Sequence, residues 1–417
     1  MSAARRDGLW LAGSFAMLAV SGLVINLIIA FVRGPSALGL FNLSFAFYIF
    51  ASQFAVFGAQ YAALYHVSLH AGTEDGKVAA TASLMCAVFF SCVTAFAVYR
   101  ARAWAAELMD SPDLVHSLAA VAAGLFFFSV NKVFLNLLNA HRRIKDYALG
   151  AFVRYGALTL GVIAIAPLPL PAWSPAAALP CAEFVTCLYL CRRCRGLVAW
   201  RADLKRLGMW VEKTCGYGIR VSATGVIVEL NTRVDILILG CFEPDAVVGL
   251  YSFAALLAEG LGQLPMLGRV YNDPRIARLW MERRADDLRL LARRTRLFWW
   301  GGMACLSVLV CFLYTPVLAL LPRGAEYGEA APVLAVLLFG VTVSAGYVPL
   351  SGMLQQTGYP GEQSLQTLCV FLLNAGGNAA LIPFWGIYGA AVGMALSQVG
   401  MVVILRRFVK RTLRIAI

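Results

Sequence analysis

Charged side chains are scarce in this sequence of 417 residues, where Asp, Glu, Lys and Arg together make up 14% and hydrophobic residues 60%. Soluble globular domains carry about 25% charged residues. Apolar stretches of roughly 20 residues recur along the whole chain, and each is long enough to cross a bilayer. No polar stretch between them is long enough to fold as a separate soluble domain. The composition therefore predicts an all-α polytopic membrane protein and argues against a membrane-anchored enzyme with its active site outside the lipid.

Motifs of catalysis and of cofactor binding are also missing. The sequence contains no H-E-x-x-H, no G-x-S-x-G, no P-loop and no dinucleotide-binding glycine pattern. It has only four histidines, and the C-x-x-C of Cys191 and Cys194 has no second cysteine pair and no nearby histidine. We therefore expect no catalytic site, no metal site and no cofactor.

Twelve apolar segments are long enough to be transmembrane helices. Six lie before a basic connector at residues 192–215 and six lie after it. This order predicts three parts, namely a six-helix lobe at 1–191, an interfacial amphipathic connector at 192–215 and a six-helix lobe at 216–417. The twelve predicted spans are 9–32, 37–59, 78–99, 115–139, 147–166, 172–191, 216–240, 246–268, 297–321, 330–352, 364–384 and 386–406.

Related sequence fragments in the two halves suggest duplication. Residues 34–41 follow the first span and residues 243–251 follow the seventh, which places Gly39 and Gly249 210 positions apart. Because each half has an even number of spans, the repeats would share one orientation, with a symmetry axis along the membrane normal and a substrate path between them.

The net charge is +13, and the positions of the basic residues along the chain predict the orientation of the protein in the membrane. If both termini are cytoplasmic, the outer loops hold only four of the 35 basic residues, namely Arg33, Arg100, Arg102 and Arg323. Basic loops stay on the inside, so we expect a multi-pass protein with both termini in the cytoplasm and no nucleic-acid partner. The loop at 269–296 carries nine arginines and four acidic residues and predicts a helix that is either solvated or bound to the membrane surface.

Polar residues within the spans are the candidates for function, because lipid disfavours them. On the fourth span, Lys132, Asn136 and Asn139 are spaced i, i+4 and i+7, and Arg143 would extend this stripe. One interpretation is that the stripe lines a cavity. The alternative for Lys132 is that its flexible side chain carries the amine to the inner membrane interface.

The seventh span is the most charged, with Arg220, Glu229, Arg233 and Asp235. The i, i+4 spacing of Glu229 and Arg233 predicts a helical ion pair, which is either structural or lines a hydrated cavity. Arg220 lies close enough to the inner end to reach lipid headgroups.

Two further carboxylates are candidates for ion coupling. Glu259 shares a face of the eighth span with Ser252 and Gln263, and Glu183 is the only acid in the sixth span. Each is either a protonated packing residue or a proton or sodium site.

Several segments in this order and spacing resemble the polysaccharide (O-antigen type) flippases of the multidrug/oligosaccharidyl-lipid/polysaccharide (MOP) exporter superfamily. The segments are residues 33–35, 39–41, 233–240, 248–252, 324–327, 354–358, 378–383 and 386–391.

The resemblance implies two six-helix lobes that work by alternating access in a bacterial inner membrane. The implied cargo is an undecaprenyl-pyrophosphate-linked oligosaccharide for surface polysaccharides such as O-antigen lipopolysaccharide or exopolysaccharide. Membrane lipids, a polysaccharide polymerase and other export machinery are the implied partners. A pyrophosphate needs cations in the cavity, and the available ones are Arg233, Lys132, Arg154 and Arg220, with Asn136 and Asn139 beside them. The coupling candidates are Glu229, Asp235, Glu259 and Glu183.

Two alternatives stay open. Carboxylates in the lobes would suit a cation-coupled multidrug exporter of the same superfamily. A membrane polysaccharide polymerase would need a sizeable catalytic loop outside the lipid, and the longest predicted outer loop covers only residues 100–114.

Overall fold

The structure is a computed structural model that describes residues 3–199 and 203–415, apart from the side chains of residues 3–6, 223 and 224. Within those residues all regular secondary structure is helical, which confirms the all-α prediction. Ten of the described helices are long and apolar enough to cross a membrane. Pro360–Leu413 is interrupted at Gly386, where φ is +52°, and therefore holds two of the predicted spans. Leu204–Asn231 holds most of the predicted seventh span.

The chain packs into two compact units, Met1–Glu229 and Leu230–Ile417. The predicted assignment of six spans to each of two lobes stays a prediction. The helices of the first unit are α1 (Ala3–Ile28), α2 (Pro35–Val56), α3 (Ala59–Leu69), α4 (Glu74–Leu108), α5 (Leu114–Ala140), α6 (Ile144–Ile165), α7 (Ala178–Cys194) and α8 (Leu204–Asn231). The last two residues of α8, Leu230 and Asn231, belong to the second unit.

Helix α5 is central to the first unit and packs against α2, α4 and α7. Its buried residues Val121, Leu125 and Phe128 form one apolar cluster with Tyr48 of α2 and Leu179 of α7. Close packing of this kind fixes the rotamers of the side chains around it. Phe128 and Tyr48 thereby become rigid neighbours for the polar groups described below.

The helices of the second unit are α9 (Val234–Leu239), α10 (Asp245–Met281), α11 (Ala285–Ala319), α12 (Ala331–Ala345), α13 (Met353–Gln356) and α14 (Pro360–Leu413). Helix α12 packs against α10, α11 and α14. The predicted loop at 269–296 is the tip of a helical hairpin, in which α10 and α11 meet at a short turn. Ile276, Leu288 and Ala292 are buried in that tip and join one apolar core with Leu405 of α14.

Capping groups explain where some of these helices begin. The hydroxyl of Thr73 accepts a hydrogen bond from the backbone N–H of Gly76, and Glu74 and Asp75 occupy the first turn of α4. Both features stabilise a helix N-terminus. Helix α4 continues to Leu108, so the outer loop predicted at 100–114 is reduced to residues 109–113.

Helices occupy both ends of the predicted connector, and its position at the membrane interface stays a prediction. Helix α7 ends at Cys194, and α8 runs without interruption from Leu204 to Asn231. The residues predicted as the end of the connector are therefore the first turns of the next span. Trp210 of this segment is buried in one apolar cluster with residues of α3 and α4. Residues 200–202 of the predicted connector lie outside the described residues.

Candidate functional site

A buried carboxylate, Glu183 on α7, organises the polar interior of the first unit. It is 2% exposed, and four helices contribute to its surroundings. Arg154 of α6 donates from Nε to Glu183 Oε1 over 2.6 Å, and the hydroxyl of Tyr48 donates to the same oxygen over 3.0 Å. Asn131 of α5 donates from Nδ2 to Oε2 over 2.9 Å and to the Glu183 backbone carbonyl over 2.8 Å.

These contacts satisfy both carboxylate oxygens of Glu183. Charge-assisted hydrogen bonds are short and strong, and a buried charge that has a counter-ion and full hydrogen bonding avoids most of its desolvation penalty. The guanidinium of Arg154 also lies 4.4 Å from the ring centroid of Phe128, a favourable cation–π distance. The arrangement is that of a structural anchor between α2, α5, α6 and α7.

The predicted stripe on the fourth span lies on one helix, α5, and its three residues are half-buried. The Lys132 amine lies 4.5 Å from the ring centroid of Phe128, and the charges of Glu229, Arg154 and Glu183 act on it. Asn136 donates to the backbone carbonyl of Lys132 over 2.9 Å. Lys132 is therefore held deep in the unit by aromatic and acidic neighbours.

Three other arginines have positions that the sequence did not reveal. Arg143 does not extend the stripe, because α5 ends at Ala140 and Arg143 pairs with Asp146 at 2.8 Å. Arg220 is exposed on α8. Arg33 donates to the backbone carbonyls of Leu168, Leu170 and Pro171 and so fastens the loop between α6 and α7.

In the second unit the polar residues gather around a break in the helical chain. Helix α8 ends at Asn231 and α9 begins at Val234, and the backbone at Arg233 is non-helical, with φ −140° and ψ 0°. The last carbonyls of a helix lack intrahelical donors, and here Asn374 of α14 donates to the Asn231 carbonyl over 2.9 Å. Asn378 in turn donates to Asn374 Oδ1 over 2.8 Å.

This break falls between the two residues of the predicted helical pair, Glu229 and Arg233, and the pair itself stays a prediction. Because α8 ends at Asn231, Arg233 lies beyond the helix that carries Glu229. Arg233 forms an ion pair with Glu259 of α10, with 3.8 Å between Nη1 and Oε1 and side chains that are 25% and 34% exposed. That distance is longer than a hydrogen bond, so the pair is looser than the one between Arg154 and Glu183.

Asp235 begins α9 directly after the break and is 3% exposed. Its Oδ2 accepts a hydrogen bond from the buried hydroxyl of Tyr251, whereas Oδ1 has no hydrogen-bond partner among the described residues. The buried hydroxyl of Ser252, the residue after Tyr251, likewise has none there. A buried carboxylate oxygen without a donor is costly, so Asp235 differs from Glu183 in having an oxygen left over.

Sequence reasoning missed the side chains that hold the two buried carboxylates. Tyr48, Asn131 and Tyr251 lie on helices distant in sequence from the acids they contact, or in Tyr251's case across a loop. Buried tyrosine hydroxyls usually find a hydrogen-bond partner. The sequence offered one signal for these contacts, namely a tyrosine in the middle of a span in the same unit as a lone acid.

The fold of this chain is similar to the folds of several known transporters. An inward-facing multidrug resistance MATE family transporter of the MOP superfamily superposes with a TM-score of 0.78 at 15% identity, covering 94% of each chain. The lipid II flippase MurJ in an inward closed conformation gives 0.77 at 13% identity, covering 96% of this chain and 87% of that one. A mutant of the MATE transporter VcmN of Vibrio cholerae gives 0.63 at 14% identity, covering 98% and 96%. The chain therefore has the MOP transporter fold.

A comparison of sequences gives a second result. The family model described as "Polysaccharide biosynthesis protein" matches residues 4–263, which is more than half of the chain. Among curated proteins, no sequence matches significantly.

Proposed function

Given that this chain belongs to the polysaccharide biosynthesis protein family, we propose that it moves oligosaccharides linked to undecaprenyl pyrophosphate from the cytoplasmic to the outer leaflet of a bacterial inner membrane. Family and fold together make it a multi-pass membrane transporter of the flippase type. Surface polysaccharide, of the O-antigen or exopolysaccharide kind, would be the product. A polysaccharide polymerase in the same membrane would then receive the flipped unit.

The observation that carries this proposal is the state of Arg233. Hydrocarbon does not accept the charge of a pyrophosphate, so the path needs at least one deep cation. Arg233 lies at a helix break, is partly exposed and pairs with Glu259 at 3.8 Å, a distance longer than a hydrogen bond. A guanidinium in a loose pair can exchange a carboxylate for two phosphate oxygens, because its planar fork matches both. We infer that Glu259 holds Arg233 when no cargo is bound.

The remaining cations rank by how firmly they are engaged. Lys132, with Asn136 and Asn139 on the same helix, is the second proposed ligand, since its contact to Phe128 and its acidic neighbours leave the amine free of a short ion pair among the described residues. Arg154 is the weakest candidate, because its 2.6 Å bond to buried Glu183 would have to break. Arg220 is exposed and suits a lipid headgroup better than a deep cargo site.

Among the coupling candidates we propose Asp235. Its unpartnered oxygen is buried and can accept a proton or a cation without losing the bond from Tyr251. Glu183 has no such vacancy, because Arg154, Tyr48 and Asn131 occupy both oxygens. We propose that Glu259 balances the charge of Arg233 and that Glu229 balances the charge of Lys132.

Proteoliposomes test the proposed cargo. We expect the purified chain to move a fluorescent undecaprenyl-pyrophosphate-linked oligosaccharide between leaflets, measured by its accessibility to a membrane-impermeant quencher. Arg233→Ala should lower the rate at least tenfold, and Arg233→Lys should restore it only in part, because an ammonium lacks the planar fork. Arg278→Ala is the matched control, since Arg278 lies in the same unit in an exposed pair with Glu282.

Two results would contradict the proposal. Flipping by Arg233→Ala at the wild-type rate would remove Arg233 from the cargo site. A wild-type protein that leaves the lipid-linked glycan in place but exports a cationic dye against a sodium or proton gradient would be a multidrug exporter.

A further inference from the structure

A cavity of about 600 Å³ opens between α10 and α11 near the tip of their hairpin. Its polar lining includes Arg275 and Tyr271 of α10 and Arg294 of α11, and its apolar lining includes Phe298 and Trp299. All of these residues belong to the second unit. The proposed cargo site around Arg233 contains none of them.

The charges of the hairpin leave two arginines of this cavity uncompensated. Its four carboxylates, Asp273, Glu282, Asp286 and Asp287, form ion pairs with Arg269, Arg278, Arg284 and Arg289. Among the described residues, neither Arg275 nor Arg294 lies within 4.0 Å of a carboxylate, although both line the cavity. The pairing of Asp287 with Arg284, at 2.7 Å, occupies the one acid in the lining. The cavity therefore has a local positive excess of two guanidinium groups.

The cavity is built by close helix packing and not by mobile surface side chains alone. A Cβ on Gly268 would lie 2.7 Å from Nε1 of Trp299, so only glycine lets the indole lie against α10 at that point. One turn further along, buried Asn272 donates to the Thr295 hydroxyl over 3.3 Å and joins the two helices. The Arg275 guanidinium lies 4.2 Å from the ring centroid of Tyr271, which restricts its orientation.

The cavity lies where the helices change from charged to apolar. No charged residue occurs between Arg296 and Arg323, so the apolar part of α11 begins at the level of Phe298 and Trp299. Leu267 and Phe298, at the mouth of the cavity, are 67% and 72% exposed. Tryptophan and tyrosine at such a boundary are typical of the membrane interface. One end of the cavity is therefore basic and the other continues into surface suited to acyl chains.

We propose that this cavity binds the phosphate headgroup of an anionic phospholipid of the leaflet that faces the hairpin, with the guanidinium groups of Arg275 and Arg294 on the phosphate. Basic pockets between transmembrane helices on the cytoplasmic side recognise anionic lipid headgroups, and two guanidinium forks match phosphate oxygens. The exposed Leu267 and Phe298 would contact the acyl chains. The lipid would join α10 to α11 from outside.

Lipid retention by the full-length chain provides the test. We expect native mass spectrometry of the chain, released from nanodiscs of equal phosphatidylglycerol and phosphatidylcholine, to show bound phosphatidylglycerol. The Arg275→Gln/Arg294→Gln variant should retain at least tenfold less of it. Gly268→Val, which displaces Trp299 without changing charge, should also reduce retention.

The matched control is Arg278→Gln/Arg289→Gln, which removes the same charge from two ion-paired arginines of the same hairpin. Equal loss in the control would show general electrostatic attraction and overturn the proposal. Retention of phosphatidylcholine at the level of phosphatidylglycerol would also overturn it. Inorganic phosphate that binds the lipid-free chain and is lost in the same variant would identify a free-anion site, and an acidic peptide that displaces the lipid would identify a protein partner; either would refute the lipid assignment.

Discussion

Each packing unit buries one carboxylate that accepts a hydrogen bond from a buried tyrosine, and the two carboxylates are satisfied to different degrees. Glu183 accepts donors at both oxygens and has Arg154 as a counter-ion. Asp235 accepts from Tyr251 at one oxygen, and its other oxygen has no hydrogen-bond partner among the described residues. The cost of an unsatisfied buried acceptor is about 1–3 kcal/mol, and such a cost is often retained at sites that change their protonation or ligand.

The same chemical change at these two acids should therefore separate stability from transport. Glu183→Gln leaves Arg154 buried without its counter-ion, which costs about 3 kcal/mol, and should lower the melting temperature in detergent on the order of 10 °C. Asp235→Asn keeps an acceptor for Tyr251, and we expect it to melt near wild type while losing the dependence of flipping on an ion gradient.

Glu326→Gln is the control, because Glu326 pairs with Arg323 on the surface at 3.1 Å and such pairs contribute little. A melting temperature of Glu183→Gln equal to that of this control would show that the buried pair is not an anchor. Gradient-dependent flipping by Asp235→Asn would exclude Asp235 as the coupling residue.

At this scale the sequence predicted which residue types matter better than it predicted their partners. Lys132, Arg154, Arg233, Glu183 and Asp235 stand out because charge is rare within apolar spans. Their partners come from packing between helices, which periodicity along one helix does not encode. The pairs of Arg154 with Glu183 and of Arg233 with Glu259 each join two helices in this way.

At the scale of helices, the bend between α2 and α3 packs against α8. Phe57 and Gly58 have left-handed backbones, with φ of 47° and 69°, and they separate α2 from α3. A Cβ on Gly218 of α8 would lie 2.4 Å from the Phe57 carbonyl oxygen. The bend and the helix therefore approach as closely as two backbones allow.

Two glycines on α8 allow this contact to be measured. Gly218→Ala should lower the melting temperature by several degrees, because overpacking against a backbone atom costs about 1–3 kcal/mol. Gly216→Ala, two residues away on the same helix, has nothing within 4 Å of its new Cβ and should be neutral or slightly stabilising. Equal melting temperatures for the two variants would show that α8 does not hold the bend.

Most helices were predictable from apolar length, and the two exceptions have different causes, one local and one distant in sequence. The interruption within Pro360–Leu413 coincides with Gly386, a residue that tolerates positive φ. The break after Asn231 contains no glycine or proline. It depends on Asn374, more than 140 positions further along the chain, which caps the open helix end, so no local pattern announced it.

At the scale of the whole molecule, hydropathy predicted a helical membrane protein of about twelve spans, the resemblance implied the MOP fold, and charge predicted the orientation. The fold is confirmed by the superpositions on MOP transporters. The cytoplasmic position of both termini stays a prediction, since it depends on the basic loops alone.

Labelling of introduced cysteines tests the orientation, in a background without the eleven native cysteines. An impermeant thiol reagent added to intact cells should label Glu107→Cys and Glu326→Cys but not Glu74→Cys or Glu282→Cys. All four glutamates are exposed at helix ends or in turns. The two pairs of replacements therefore differ in the side of the membrane on which they are predicted to lie. Labelling of the last two would invert the orientation and with it the proposed direction of transport.

The hairpin of α10 and α11 is also a suitable attachment point for a fusion protein that would help cryo-electron microscopy of this chain. Its tip is a turn of three exposed residues, Glu282–Arg284, between two helices whose facing residues are buried in a common core. A rigid helical fusion protein joined in register at this turn would inherit the orientation of both helices. Small membrane proteins give cryo-electron microscopy few features outside the micelle for particle alignment, and such a fusion would supply one without touching the residues around Arg233.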